Sequence, residues 1–246
     1  MAHSKWATWL VFVMVALIAI LAISGAAFAQ DEEDGGDDGG GMSLLDTIMA
    51  GGAIGFVIIG LSVVCVALTI EYFVTMSRDK LIPPEILGEL EVLFEDEEYE
   101  EALELCEAEP SFFTNCVASG IPKMTAGYDM MIESMETENA AETFKLHTKV
   151  GYIGTIAAVA PMLGLMGTVY GMIQAFQKIA QAKGAPEPSE LADSIGLALV
   201  TTLLGLIVAI PSLIVNFLLK AKVTKLSMEV GNAIEDLFER FRPVRK

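Results

Sequence analysis

Residues 160–172 read APMLGLMGTVYGM, a greasy run holding one proline, three glycines and a single threonine, Thr168. Its surroundings decide what such a stretch can be. From Gly151 to Phe176 there is no Asp, Glu, Lys, Arg or His, and the same holds from Ser194 to Leu219. A third apolar stretch, Gly51 to Met76, carries only Glu71, near its end. Each reaches the ~20 residues that carry a helix across a bilayer. A span in lipid must satisfy its own backbone hydrogen bonds, so helices are the expected form. The whole chain agrees: 246 residues, 53% hydrophobic, with a mean hydropathy of +0.54, which is a membrane composition.

Basic residues beside span ends mark the cytoplasmic side. Arg78 and Lys80 follow the first span, Lys145 and Lys149 precede the second, and Lys220, Lys222 and Lys225 follow the third. The link between the second and third spans offsets Lys178 and Lys183 with Glu187, Glu190 and Asp193. The expected order is therefore transmembrane helix 51–76, cytoplasmic helical domain 77–150, transmembrane helix 151–176, periplasmic loop 177–193, transmembrane helix 194–219 and cytoplasmic C-terminal helix 220–246. Residues 1–29 read as a secretory signal peptide with a small-residue cut after Ala29. The alternative is a retained membrane helix, because the uncharged run from Trp6 to Gln30 is long enough to span. Residues 30–50, built around DEEDGGDDGGG, have almost nothing to bury and read as a disordered acidic linker.

The inner segment repeats apolar residues at helical spacing. Leu87, Leu90, Leu93 and Phe94 form one stripe, Tyr99, Leu103 and Cys106 a second, and Met131, Met135 and Phe144 a third. No proline interrupts the pattern between Pro122 and Pro161, so a helix there can run straight into the second span. Val230, Ile234, Leu237, Phe238 and Phe241 give the tail an apolar face. The acidic residues between these stripes are solvated faces.

A net charge of -18 excludes nucleic acid as a partner. Cys65, Cys106 and Cys116 are spaced for neither a metal site nor a disulfide framework, and with two histidines there is little from which to build a zinc site or a His-based triad. No metal, no cofactor and no enzyme activity is expected.

Within the second span Gly151, Thr155, Ala158, Pro161, Gly164, Thr168, Gly171 and Ala175 recur at steps of three or four, as one small-residue face. Ser194, Ala198, Thr202, Gly205, Ala209, Ser212 and Asn216 do the same in the third span, with Thr201 beside them. Small residues let helix backbones approach in lipid. On that reading Gly164, Gly167, Gly171 and Gly205 serve packing, and the threonines bond back to carbonyls one turn earlier. Pro161 and Pro211 either kink their helices or open carbonyls toward a polar path. A bundle that moves protons needs an ionisable group at depth. None lies in either span, so a conducting assembly needs its carboxylate from another subunit.

IAAVAPMLGLMGTVYGMIQAF (156–176) together with IGLALVTTLLGLIVAIPSLIVNFL (195–218) closely resembles the MotA/TolQ/ExbB proton-channel family, in particular its ExbB and TolQ branch. The paired patterns AP-x-LGL-x-GTV and AL-x-TT-x-x-GL-x-x-AIP carry the likeness, which extends over roughly residues 50–240. The resemblance implies an all-α integral membrane protein of the bacterial inner membrane, multi-pass, whose three long helices are extended by cytoplasmic helices. It implies a homo-oligomeric ring, a pentamer, around a central pore. A dimeric ExbD- or TolR-like partner places single membrane helices, each with an Asp, in that pore. Proton flow then drives envelope work, such as outer-membrane transport of biopolymers through a TonB- or TolA-like protein. The family's pore threonines fall on Thr168 and Thr202, with Thr201 adjacent. The small face would admit the partner helix. One departure is Leu197, where ExbB proteins often carry a Glu. Two other readings are a non-conducting membrane scaffold and a MotA-like flagellar stator subunit, the latter disfavoured by an inner segment with few basic residues to alternate with its acid.

Overall fold

The computed structural model describes residues 52–181 and 188–238. The N-terminal segment 1–29, the linker 30–50, Gly51, residues 182–187, the side chain of Leu197 and the tail 239–246 lie outside the described residues. Among those described there is no strand. The helices are α1 (Gly52–Thr75), α2 (Arg78–Leu81), α3 (Pro84–Glu95), α4 (Tyr99–Ala108), α5 (Phe112–Gly120), a 3-10 turn (Ile121–Ala126), α6 (Tyr128–Gln181) and α7 (Pro188–Phe238). Three of them, α1, α6 and α7, are long and apolar enough to cross a membrane. At 24 residues, α1 measures about 36 Å at 1.5 Å per residue, more than the ~30 Å hydrocarbon layer.

Two differences from the sequence expectation concern helix ends. The link 177–193 is not all loop: α6 continues to Gln181 and α7 begins at Pro188. Hydropathy marks where lipid contact stops, whereas a helix continues until its hydrogen-bond ladder is interrupted. Pro188 suits a first helical position because its missing N–H has no partner there in any case.

Contacts gather the residues into two units. The first joins α1 up to Ile70 with Tyr152–Asn216, and it is the apolar one. The second joins Glu71–Gly151 with the residues from Phe217 on, and it holds most of the acid.

In the acidic unit the short helices are stopped and started by local chemistry. Pro84 opens α3 behind Pro83. At its end the Glu98 amide donates to the Leu93 carbonyl at 2.9 Å, and Glu97 takes φ 62. That is a Schellman close with a non-glycine residue in the left-handed position. Glu97→Gly relieves the Cβ clash and should raise stability by about 1 kcal/mol, read as a higher urea midpoint at unchanged slope. Ser111 caps α5 reciprocally with Thr114, the Thr114 amide donating to Ser111 Oγ and the Ser111 amide to Thr114 Oγ1. A hydrogen bond ties α5 to α6: Ser134 Oγ donates to the Ser119 carbonyl at 2.9 Å, while Ser119 Oγ donates within α5 to the Cys116 carbonyl at 2.7 Å and lies 3.3 Å from the Ser134 carbonyl oxygen.

The core of this unit is what the stripes require. Leu90, Phe94, Cys106, Met131, Met135, Val230, Ile234, Leu237 and Phe238 are buried, and Phe94 meets the edge of Phe238 with ring centroids 4.9 Å apart. Phe144 departs from the pattern, 72% exposed. Between α6 and α7, Asn139, Thr143 and Ser227 form a closed polar knot: Thr143 Oγ1 donates to Ser227 Oγ, which donates to Asn139 Oδ1, while Asn139 Nδ2 donates to the Ser227 carbonyl.

Candidate functional site: the α6–α7 seam

In the apolar unit the glycines of α6 lie against α7. A Cβ on Gly164 would stand 2.9 Å from the Thr201 carbonyl oxygen and 2.9 Å from Thr202 Cα, and one on Gly171 would stand 2.7 Å from Ala198 Cβ. A Cβ on Gly167 would run into the Thr201 hydroxyl. In the other direction, a Cβ on Gly205 would lie 2.6 Å from the Ala160 carbonyl oxygen. Ala157, Ala160, Gly164, Gly167, Gly171 and Ala175 are the buried line on α6; Ser194, Ala198, Thr201, Gly205, Ala209 and Ser212 are the matching line on α7.

This corrects the small-residue face expected on α6. Thr155 and Ala158 are exposed while Gly164, Gly171 and Ala175 are buried. At about 100° per residue the set cannot hold one face from 151 to 175, since 24 residues turn its end about 120° away from its start. On α7 the expected stripe is buried at Ser194, Ala198, Gly205, Ala209 and Ser212 and half-buried at Thr202 and Asn216, and Thr201 belongs inside the seam rather than beside it. Gly154, Gly164, Gly167 and Gly171 of α6 are thus occupied by the chain's own α7.

Close approach brings the threonines onto backbone oxygens. Thr202 Oγ1 donates to the Gly164 carbonyl at 3.1 Å. Thr201 Oγ1 donates to the Ala198 carbonyl at 2.7 Å and lies 3.3 Å from the same Gly164 oxygen. Thr168 Oγ1 donates to the Leu165 carbonyl at 2.7 Å. Thr201 is buried, and Thr168 and Thr202 are half-buried. Thr168 therefore sits at the rim of the seam, next to exposed Leu165 and Val169. All three hydroxyls have placed their hydrogens on carbonyls, so the half-buried Thr168 and Thr202 offer lone pairs at the rim while Thr201 stays inside the seam.

Other polar contacts in this unit were not readable from the sequence, although Ser194, Ser212 and Asn216 stood on the expected stripe of the third span. Lys178 Nζ donates to Ser194 Oγ at 2.9 Å, a contact that exists because α6 outlasts its apolar stretch. Cys65 of α1 lies 3.0 Å from Ser212 Oγ, and Ser212 Oγ donates to the Val208 carbonyl at 2.6 Å. Asn216 packs on Gly154, where an added Cβ would come within 3.1 Å of its Oδ1; that oxygen is buried and has no hydrogen-bond partner among the described residues. Polar residues at small-residue spacing were the only signal for these contacts. Which helix they touch was not in the pattern.

Among the described residues no cluster of His, Cys, Asp and Glu can hold a metal. Cys106 and Cys116 are free and buried. Burial pushes both thiols up to about 12, helped by Glu107 at Cys106 and by Glu138 and Glu142 at Cys116. The folded thiols stay protonated while unfolded ones ionise from their ordinary 9.0. Their contribution to stability is therefore complete below pH 9 and is lost as pH rises toward 12. Denaturation midpoints measured across that window should fall more steeply for the parent chain than for the C106A/C116A variant.

The profile of the MotA/TolQ/ExbB proton channel family matches residues 108–232, more than half of the chain. Similar curated proteins include the Tol-Pal system protein TolQ of Haemophilus influenzae, 35% identical over 39% of this chain and 41% of that protein. The biopolymer transport protein ExbB of Aquifex aeolicus is 37% identical over 45% of this chain and 74% of its own length. The ExbB of Xanthomonas campestris pv. campestris is 41% identical over 29% of this chain and 28% of that protein. The matched segment thus spans less than half of the TolQ relative. The family match takes in α5, the 3-10 turn, all of α6 and α7 as far as Asn232, and so the entire seam: the chain is a membrane protein of the MotA/TolQ/ExbB proton channel family.

Proposed function

We propose that this chain is the ring-forming subunit of a proton-driven motor in the bacterial inner membrane. It works as a transport subunit rather than an enzyme. Copies of the chain, five on the family pattern, enclose a pore that receives the membrane helices of an ExbD- or TolR-like partner. Proton passage there drives envelope work through a TonB- or TolA-like protein. One observation carries the reading: the family's channel segment here holds hydroxyls but no ionisable side chain across 151–176 and 194–219. Proton transfer through lipid depth needs such a group, so the carboxylate enters on the partner. Thr168 and Thr202, at the seam's rim, are the residues we assign to meet it.

The test is reconstitution into liposomes with a pH-sensitive dye inside. Flux that appears only when the single-span partner is added supports the assignment. Proton tightness with every partner supplied overturns it in favour of a non-conducting scaffold, and flux from the chain alone overturns the partner's role.

A further inference from the structure

We infer that α1 and α7 enclose a binding site for one water molecule at Pro211, a site that owes nothing to the proposed pore. Proline has no N–H, so Pro211 inside α7 leaves the Ile207 carbonyl without its donor one turn on. In lipid an unmet carbonyl is costly, and ordered water is one of the means by which membrane helices tolerate proline. Beside this position is a cavity lined by Ser62, Cys65 and Thr69 of α1 and by Ile207, Pro211 and Ser212 of α7. The cavity volume is about 20 Å³, and holding one water takes roughly 10–15 Å³ with two to four polar partners.

The hydrogen bonds around the cavity define the ligand. Thr69 Oγ1 has given its hydrogen to the Cys65 carbonyl at 2.7 Å. Ser212 Oγ has given its own to the Val208 carbonyl, so the Cys65 thiol is the donor in their 3.0 Å contact. What remains at the cavity is the Ser62 hydroxyl, the lone pairs of Thr69 and Ser212, and the carbonyl of Ile207 that Pro211 leaves without its donor. Acceptors outnumber hydrogens there, and water supplies two. The water replaces the hydrogen bond that Pro211 removed and bridges α7 to α1.

A double-variant cycle on the full-length chain tests this. Val66 and Val208 also line the cavity, and Val66→Ile puts a methyl where the water would sit. With Pro211 in place, V66I should lower the thermal midpoint by about 2–4 °C, the shift for losing one hydrogen bond in a chain of this size. In a P211A background, where an N–H again reaches Ile207, V66I should leave the midpoint unchanged or raise it. In the C106A/C116A background the Cys65 S–H infrared band should exchange in D2O, and V66I should slow that exchange. V208I, from the other wall, repeats the cycle if V66I is not recovered. A midpoint that rises with V66I beside Pro211 means a dry cavity has been filled, and overturns the inference. An equal fall in both backgrounds means simple overpacking, and overturns it as well.

Discussion

Gly205→Val should separate α6 from α7 and cost the chain most of its folded yield in detergent. A Cβ on Gly205 meets the Ala160 carbonyl at 2.6 Å, and that atom is backbone in the middle of a long helix. It cannot rotate aside as a side chain would, so the helices must part, and overpacking of this kind costs about 1–3 kcal/mol or more. Separation would also strip the Gly164 carbonyl of the Thr202 hydroxyl at the next turn. The comparison is Gly60→Ala in α1, where nothing lies within 4 Å and alanine improves helix propensity. Thermal unfolding followed by size exclusion should show a large loss for Gly205→Val and none for Gly60→Ala. Equal behaviour of the two would mean that the seam is not where the helices are held.

Thr168→Val and Thr202→Val should each lower partner-dependent proton flux by about tenfold or more, with the assembly intact by native mass spectrometry. Valine matches threonine in shape and removes only the hydroxyl. A hydrogen bond to a charged or proton-transferring group is worth about 1.5–3 kcal/mol, and each 1.4 kcal/mol is a factor of ten. Thr202→Val removes a donor from the Gly164 carbonyl, but Thr201 still lies within reach of that oxygen, so folding should survive. Thr201→Val is the informative contrast. Thr201 is buried in the seam, so its loss should reduce stability more than conductance. Unchanged flux in both Thr168→Val and Thr202→Val would remove the roles assigned to them.

Much of this architecture was legible because apolar length is a blunt signal. Twenty or more residues without charge determine a membrane helix almost regardless of order, and the proline-free run from 123 to 160 foretold the unbroken start of α6. Orientation about the helix axis was not legible in the same way. Gly151 and Gly171 share a residue type and a spacing rule, yet only Gly171 meets α7, because a pattern stepping by threes and fours rotates steadily round the helix. Loop boundaries failed for another reason: Lys178 ended the apolar run without ending the helix. For the candidate site, the family resemblance pointed to Thr168, Thr201 and Thr202, whose roles in the pore are proposals. It could not say which carbonyl each hydroxyl would choose, since for Thr202 the acceptor, Gly164, lies 38 residues away.

The Leu165 carbonyl has one consequence for anything that approaches Thr168. Its bond with the hydroxyl fixes the polarity of that hydroxyl, which faces outward as an acceptor and has no hydrogen left to give. A deprotonated carboxylate, itself only an acceptor, meets two sets of lone pairs there and is repelled. A protonated carboxyl, or a hydronium, is received. For the proposed pore, Thr168 would then act as a filter on protonation state, holding the partner's acid while it carries its proton and releasing it once the proton has gone.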